Sequence, residues 1–450
     1  MATSSDLATT VQPVRIRLRE GVPPRPRSQG WAAYVRLIPV VVLMLGVLAP
    51  PEVRINIVGQ NIYAYRIAYF LFLPWVFFAL LKGQLRYKLN DLLIVMAGAW
   101  IVLAMVVVYG AARGIPSGVA VALDLIFPFL IARLSIRDMQ DFRRLLILLA
   151  PIVFLVAITL PIEAITNNRF IRDTSIAIFG RNADIPFEIK NDTRLGMLRA
   201  MGPFSHPIMA GLFFCILLPL YYFAKIRGWP MVIGMLSGFV SLFTFSSAAM
   251  IGVIVFVVVA IYDYLCKIVQ FLTWPLFNVA LIALLFCLQV LSQNGLLAVL
   301  IRFTFNPQSG YYRLLIWEYG SASVQRHPWF GIGLEGFERL AWMHESVDAF
   351  WLAMAMRSGL PASLLLVLAT MLAIIGLGSR ISRTVGANKA TAIGLTVAMA
   401  LFFILGFTVS FFGGLFIWFA IVLGIATTFA SIGNPRRQRR PLIQRRVSES

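Results

Sequence analysis

Apolar residues gather along this chain into windows of about twenty positions separated by polar links. The windows fall at about 31–49, 62–82, 89–109, 115–134, 143–165, 203–224, 229–247, 249–267, 274–291, 351–378, 389–409 and 411–431. A helix of that length crosses a hydrocarbon core of roughly 30 Å. The two-residue alternation of a barrel strand is absent, so the pattern predicts an all-α polytopic bundle of about twelve transmembrane helices. Residues 1–30 read as a disordered basic cytoplasmic tail, too long and proline-rich for the n-region of a cleaved signal. Residues 31–431 read as one transmembrane domain without internal repeats, and 432–450 as a second basic cytoplasmic tail. Two intervals, about 166–202 and 292–350, are too long for simple links. The second, between the ninth and tenth spans, has room for short helices of its own.

Composition agrees with this picture. Hydrophobic residues make up 60% of the 450 positions and charged residues 13%, against roughly half apolar and a quarter charged in soluble domains. The net charge of +20 would suggest nucleic acid in a soluble chain. Here it reflects membrane orientation and anionic headgroups, so the bilayer is the partner and nucleic acid is set aside. Cys215, Cys266 and Cys287 lie in or beside apolar windows, without metal-ligand spacing, and read as packing residues.

The cations fix an orientation. With the N-terminus inside, the inner links carry Lys82, Arg86 and Lys88; Arg137, Arg143 and Arg144; Lys225 and Arg227; Lys267; and Arg380, Arg383 and Lys389. Both termini are then cytoplasmic, in a bacterial inner membrane. Two outer loops break the rule. One holds Arg169, Arg172, Arg181, Lys190, Arg194 and Arg199, and the other Arg302, Arg313, Arg326 and Arg339. Cations on the translocated side work against the topology signal, which points to an anionic ligand there.

The second loop also carries the densest candidate chemistry. Arg313 and Trp317 share a face of a predicted amphipathic helix over 311–326 that would lie on the bilayer surface. His327-Pro328 precedes Gly331-Ile332-Gly333-Leu334-Glu335-Gly336. Those letters match a dinucleotide-binding glycine pattern but lack its strand and helix, so they predict a tight turn against another element or a ligand. His344 stands among Glu345, Asp348 and Arg357, and a neutral imidazole there can take a proton from a sugar hydroxyl. The first loop ends in Arg199-Ala-Met-Gly-Pro-Phe-Ser-His206-Pro207, a helix start whose free amides favour anions. Arginine suits a diphosphate because it stays charged and binds two oxygens at once. Several arginines can stabilise a departing diphosphate without a metal or other cofactor. No DxD or DxxD pair appears, although Asp173, Asp184, Glu188 and Asp192 leave a metal open.

These residues resemble the bacterial O-antigen ligase and polysaccharide polymerase superfamily. The similar pieces are Arg199 with its GPFSHP turn, the small-residue run at Ser246–Ala249, Arg313 four before Trp317, the HPWFGIG turn, and HESVDAFWL followed by RSGLPA. The resemblance implies transfer of a glycan from an undecaprenyl-diphosphate carrier to an acceptor glycan or glycolipid on the periplasmic side, with a chain-length regulator as a further partner. It implies that His344 is the base, that Arg199 and Arg313 hold the diphosphate, and that His327 shapes the same pocket. His206, Arg357 and Trp317 complete the expected substrate-binding set, and Asp348 joins His344 and Arg313 as catalytic. Ser246-Ser247-Ala248-Ala249 stands where many members carry an arginine, and His344-Glu345 where the ligase pattern has His-Asn. Both departures lean toward the exopolysaccharide polymerase branch, with O-antigen ligase next. A lipid-linked oligosaccharide flippase is the alternative of another class. It should carry its charges at mid-membrane depth, where only Asp124 and Arg66 stand out. An assembly factor without a reaction is the remaining alternative.

Overall fold

The computed structural model describes residues 28–57, 60–181, 192–274, 307–344 and 346–430, with positions 276, 283 and 287. The chain begins with α1 (Ser28–Val47), a ribbon of β1 (Arg54–Ile57) and β2 (Gln60–Tyr63), and α2 (Ala64–Leu81). Then come α3 (Leu89–Ser135), α4 (Met139–Ala157), α5 (Thr159–Thr166), α6 (Phe170–Phe179) and a short ribbon of β3 (Thr193–Arg194) and β4 (Met197–Leu198). Next are α7 (Pro207–Phe223), α8 (Trp229–Phe239) with a 3-10 turn over Val240–Thr244, and α9 (Ser247–Ile268). The last described helices are α10 (Pro307–Arg326), α11 (Phe350–Ile381), α12 (Gly386–Leu405) and α13 (Gly414–Phe429).

Among the described residues six helices are long and apolar enough to cross a membrane: α2, α3, α4 continuing into α5, α9, α11 and α12. α1, α7, α8 and α13 are shorter apolar helices. A backbone in lipid must satisfy its polar groups internally, which is why such apolar runs become helices. Close packing between them uses small residues. A Cβ on Gly394 of α12 would meet the Pro219 carbonyl oxygen of α7 at 2.6 Å, and one on Gly424 of α13 would meet that of Phe129 in α3 at 2.6 Å. Most of the 274–291 window, residues 292–306 and nearly all of both tails lie outside the described residues.

The structure departs from the sequence pattern in four places. The windows at 89–109 and 115–134 form one hairpin, α3, which turns at Gly110 with φ 74°. A Cβ on Gly114 would lie 2.3 Å from the Met105 carbonyl oxygen, so the two arms run back along each other. The 143–165 window starts earlier, at Met139, because Asp138 caps α4 by accepting from the Gln140 and Asp141 amides at 2.8 Å, and it continues through Ile158, with φ -62° and ψ -19°, into α5. The 351–378 window folds back at Gly359 (φ 80°, ψ 166°), so that Ser363 Oγ donates to the Trp351 carbonyl at 2.9 Å. Finally, the predicted surface helix is α10, but it does not lie free on a bilayer. Its Leu315, Ile316 and Val324 are buried in a small core with Leu352 and Met356 of the short arm of α11.

Gly359 shows what a single position can hold. Its backbone occupies a region that L side chains avoid, and a Cβ there would sit 1.8 Å from the Trp329 carbonyl oxygen. Gly359→Ala is therefore expected to destabilise the fold by about 3 kcal/mol. Thermal unfolding of the detergent-solubilised protein would show this as a clear drop in Tm, and an unchanged Tm would mean the fold-back is not under this constraint.

Two chemically different ends result. At one, Arg133 pairs with Asp91 at 2.8 Å through two nitrogens. There Lys88 Nζ also donates to the carbonyls of Thr427 and Thr428, at 2.7 and 2.9 Å, a cation at the negative end of the α13 dipole. The opposite end gathers described residues of the links at 47–57, 203–209, 346–348 and 409–414.

Candidate functional site

At that second end lies a cavity of about 600 Å³, a size usual for sites that enclose a small ligand. Its walls include His206, His344, Asp348, Arg66, Asp124 and Ser410.

α10 places the late-loop residues. The Tyr312 hydroxyl accepts from the His344 amide at 2.8 Å and donates to the His344 carbonyl at 3.3 Å. The helical turn that carries Arg313 thus pins the exposed turn that carries His344. Asp348 is held in place by its neighbour Phe350. The Phe350 amide donates to the Val409 carbonyl at 3.0 Å, and its ring stacks on Phe411 with centroids 4.4 Å apart.

Asp348 is half-buried. Burial raises its carboxyl above the ordinary Asp value, and the guanidiniums of Arg313 and Arg199 pull in the other direction. Arg313 is 9% exposed, its buried Nε has no hydrogen-bond partner, and the opposing charge that acts on it is that of Asp348. Burial lowers its pKa, with Asp348 opposing that shift; a guanidinium stays charged regardless. A buried cation with unfilled donors is uncommon in a finished fold.

Arg199 is differently placed. It forms an ion pair with Asp192, and its Nε donates to the Thr244 carbonyl at 3.3 Å. The turn after it hangs on Glu163 of α5, whose Oε2 accepts from the Met201 and Gly202 amides at 3.1 and 2.9 Å. Neither Arg199 nor Arg313 lines the cavity. The charges of both reach Asp348, which forms part of its wall.

His206 caps α7. Its Nδ1 accepts from the Ile208 amide at 3.1 Å, and burial, followed by the charge of Arg199, pushes its pKa down to about 4. The ring is neutral near pH 7 and carries its proton on Nε2, which makes it a donor on the cavity wall. This residue is both a helix-start signal and a lining group.

The remaining expected residues lie elsewhere. Trp317 Nε1 donates to the Phe407 carbonyl at 3.0 Å, and its ring stacks on Phe407, which ties α10 to the link after α12. His327 is exposed at the end of α10 and does not line the cavity. Arg357 sits at the far end of the short arm of α11, near the Tyr109 phenol. There the glycine turn does its work: the Ile332 and Gly333 amides donate to the carbonyls of Met356 and Arg357 at 2.7 and 3.1 Å, closing the C-terminus of that arm. A Cβ on Gly331 would come within 2.3 Å of the Met356 carbonyl oxygen. Glu345, Asp184 and Glu188 lie outside the described residues.

The pair that sequence reasoning leaves outside the site is Arg66 with Asp124. Arg66 Nε and Nη2 donate to the two carboxylate oxygens at 3.0 and 2.6 Å, and both residues line the cavity. A signal exists in the sequence: each is an ionisable residue inside an apolar window, which marks a functional site by default.

A family model described as O-antigen ligase matches residues 231–367 of the 450. The matched stretch includes Arg313, Trp317, His327, His344, Asp348 and Arg357, and it supports an O-antigen ligase/polymerase-like superfamily member. Arg66, Asp124, Arg199 and His206 precede it. No curated protein matches the chain.

Proposed function

From that match and the second-end cavity, we propose that the protein is a membrane glycosyltransferase that moves a glycan from an undecaprenyl-diphosphate carrier to an acceptor sugar hydroxyl. Polymerisation of surface or exopolysaccharide repeat units is the favoured reaction. The single observation that carries this reading is Arg313, buried, without a hydrogen-bond partner among the described residues, and facing Asp348 beside a cavity that also holds His344.

In this mechanism His344 takes the proton of the acceptor hydroxyl. The hydroxyl oxygen bonds to the anomeric carbon as the bond from that carbon to the diphosphate oxygen breaks. The charge left on the diphosphate falls to Arg313, supported by Arg199. Asp348 orients the acceptor, and His206 offers its Nε2–H to the sugar. No step requires a metal. The cavity end then faces the periplasm of a bacterial inner membrane that the chain crosses about twelve times, with both termini and the Arg133 end cytoplasmic.

O-antigen ligase is the second reading, supported by the description of the matching family model. Deleting the gene and analysing cell-surface glycans separates the two. Loss of long chains with single repeats retained is the expected result. Carrier-linked polymer that fails to reach lipid A core would instead assign the ligase reaction, and unaltered glycans would remove both.

A further inference from the structure

A second cavity is larger than the one used above. It has a volume of about 1260 Å³, above the roughly 300–1,000 Å³ of most small-molecule sites. It runs as a groove between α9, α11 and α12. Its walls are Ile254 and Val258 from α9, Ile374 from α11, and Ile393, Val397 and Leu401 from α12. The α12 wall, from Lys389 to Ile404, is about 22 Å long at a rise of roughly 1.5 Å per residue. That exceeds half of a hydrocarbon core of roughly 30 Å, the depth of one leaflet.

One end of the groove is basic. Lys225, Arg227, Lys267 and Lys389 all line it, against a single carboxylate, Asp263. Asp263 is taken by Lys267, at 2.6 Å. Lys225 lies over the Tyr222 ring at 5.1 Å. Among the described residues, Lys225, Arg227 and Lys389 have no carboxylate partner. These cations stand at the C-terminal ends of α7 and α9 and the N-terminal end of α12, whereas the 600 Å³ cavity adjoins the N-terminal end of α7. The two sites are therefore at opposite ends of the bundle.

Apolar walls longer than one leaflet, closed at one end by cations in excess, match a molecule with an acyl chain and a phosphate headgroup. We propose that this groove is a binding site for an anionic glycerophospholipid. An acyl chain lies along α9 and α12, and the phosphate sits among Lys225, Arg227 and Lys389. The site is separate from the proposed reaction, and its test does not depend on it.

The purified full chain, in detergent, is offered phosphatidylglycerol and phosphatidylethanolamine of identical acyl composition, and retained lipid is counted by native mass spectrometry. The wild type is expected to prefer phosphatidylglycerol. The triple variant Lys225→Gln, Arg227→Gln, Lys389→Gln is expected to lose that preference, by roughly fivefold per charge removed. Val397→Trp, which fills the wall and keeps every cation, is expected to reduce retention of phosphatidylglycerol. Equal retention of both lipids by the wild type would overturn the proposal. So would an undiminished preference in the charge variant, or full retention in a Val397→Trp protein that elutes as wild type on gel filtration.

Discussion

Arg313→Lys is expected to lower the rate of glycan transfer by about 10² to 10³-fold while the protein still inserts and folds. Lysine keeps the charge but loses the planar fork that holds two phosphate oxygens together, and removing one preorganised donor from a developing anion commonly costs that much. The position has no structural substitute for this loss, since among the described residues no hydrogen bond holds the guanidinium and its Nε is buried. Arg199→Lys is expected to cost less, because Arg199 already spends its charge on Asp192. Rates measured on purified variants of equal monodispersity check both. Wild-type turnover by Arg313→Lys would remove that residue from the site.

The second large effect falls on the cavity wall. His344→Gln is expected to reduce turnover by about 10² to 10⁴-fold, the range of a positioned general base, without weakening retention of the carrier. The fold should tolerate the change, because Tyr312 holds the His344 backbone and not its ring. Asp348→Asn carries a pH signature instead. The Asp348 carboxyl is raised above its ordinary value by burial, so its charged form is lost at a higher pH than that of an exposed aspartate. If that charge orients the acceptor, wild-type activity falls on acidification through this raised pKa, and Asp348→Asn lacks that limb while being slower at neutral pH. Identical acidic limbs in the two proteins would remove Asp348 from the reaction.

Much of the architecture was legible because lipid permits few solutions: an apolar run of twenty residues has to close its own hydrogen bonds. The glycine turn was legible for a similar reason, since Gly331-Ile332-Gly333 had no strand before it and could only bring backbone close to something. That something, the end of the short arm of α11, was not. The fold-back at Gly359 had a local sign in the run Ser358-Gly359-Leu360-Pro361, but hydrophobicity continues across it and hides the break. Neighbourhood in sequence also misled. His344 and Arg357 lie close along the chain, yet only His344 lines the cavity, because the short helical arm carries Arg357 to the other side. Conversely, Arg66 and Asp124 come from separate helices, and nothing local to either announces that each is the other's partner.

The same geometry bears on transport as an alternative. The ionisable residues singled out within the apolar windows, Arg66 and Asp124, neutralise each other across two charge-assisted hydrogen bonds. A translocation path for a diphosphate would need unpaired cations in that position. Arg313, buried and without a hydrogen-bond partner among the described residues, lies instead in a helix outside the six apolar spans.

The most direct measurement uses the purified full chain in nanodiscs, supplied with an undecaprenyl-diphosphate-linked repeat unit, with and without lipid A core. Free undecaprenyl diphosphate and lengthened or transferred glycan are followed together. The account predicts one carrier diphosphate released for each new glycosidic bond, and loss of both products in Arg313→Lys and His344→Gln. Carrier-linked glycan that stays intact with both acceptors present, or products undiminished in those variants, would contradict it.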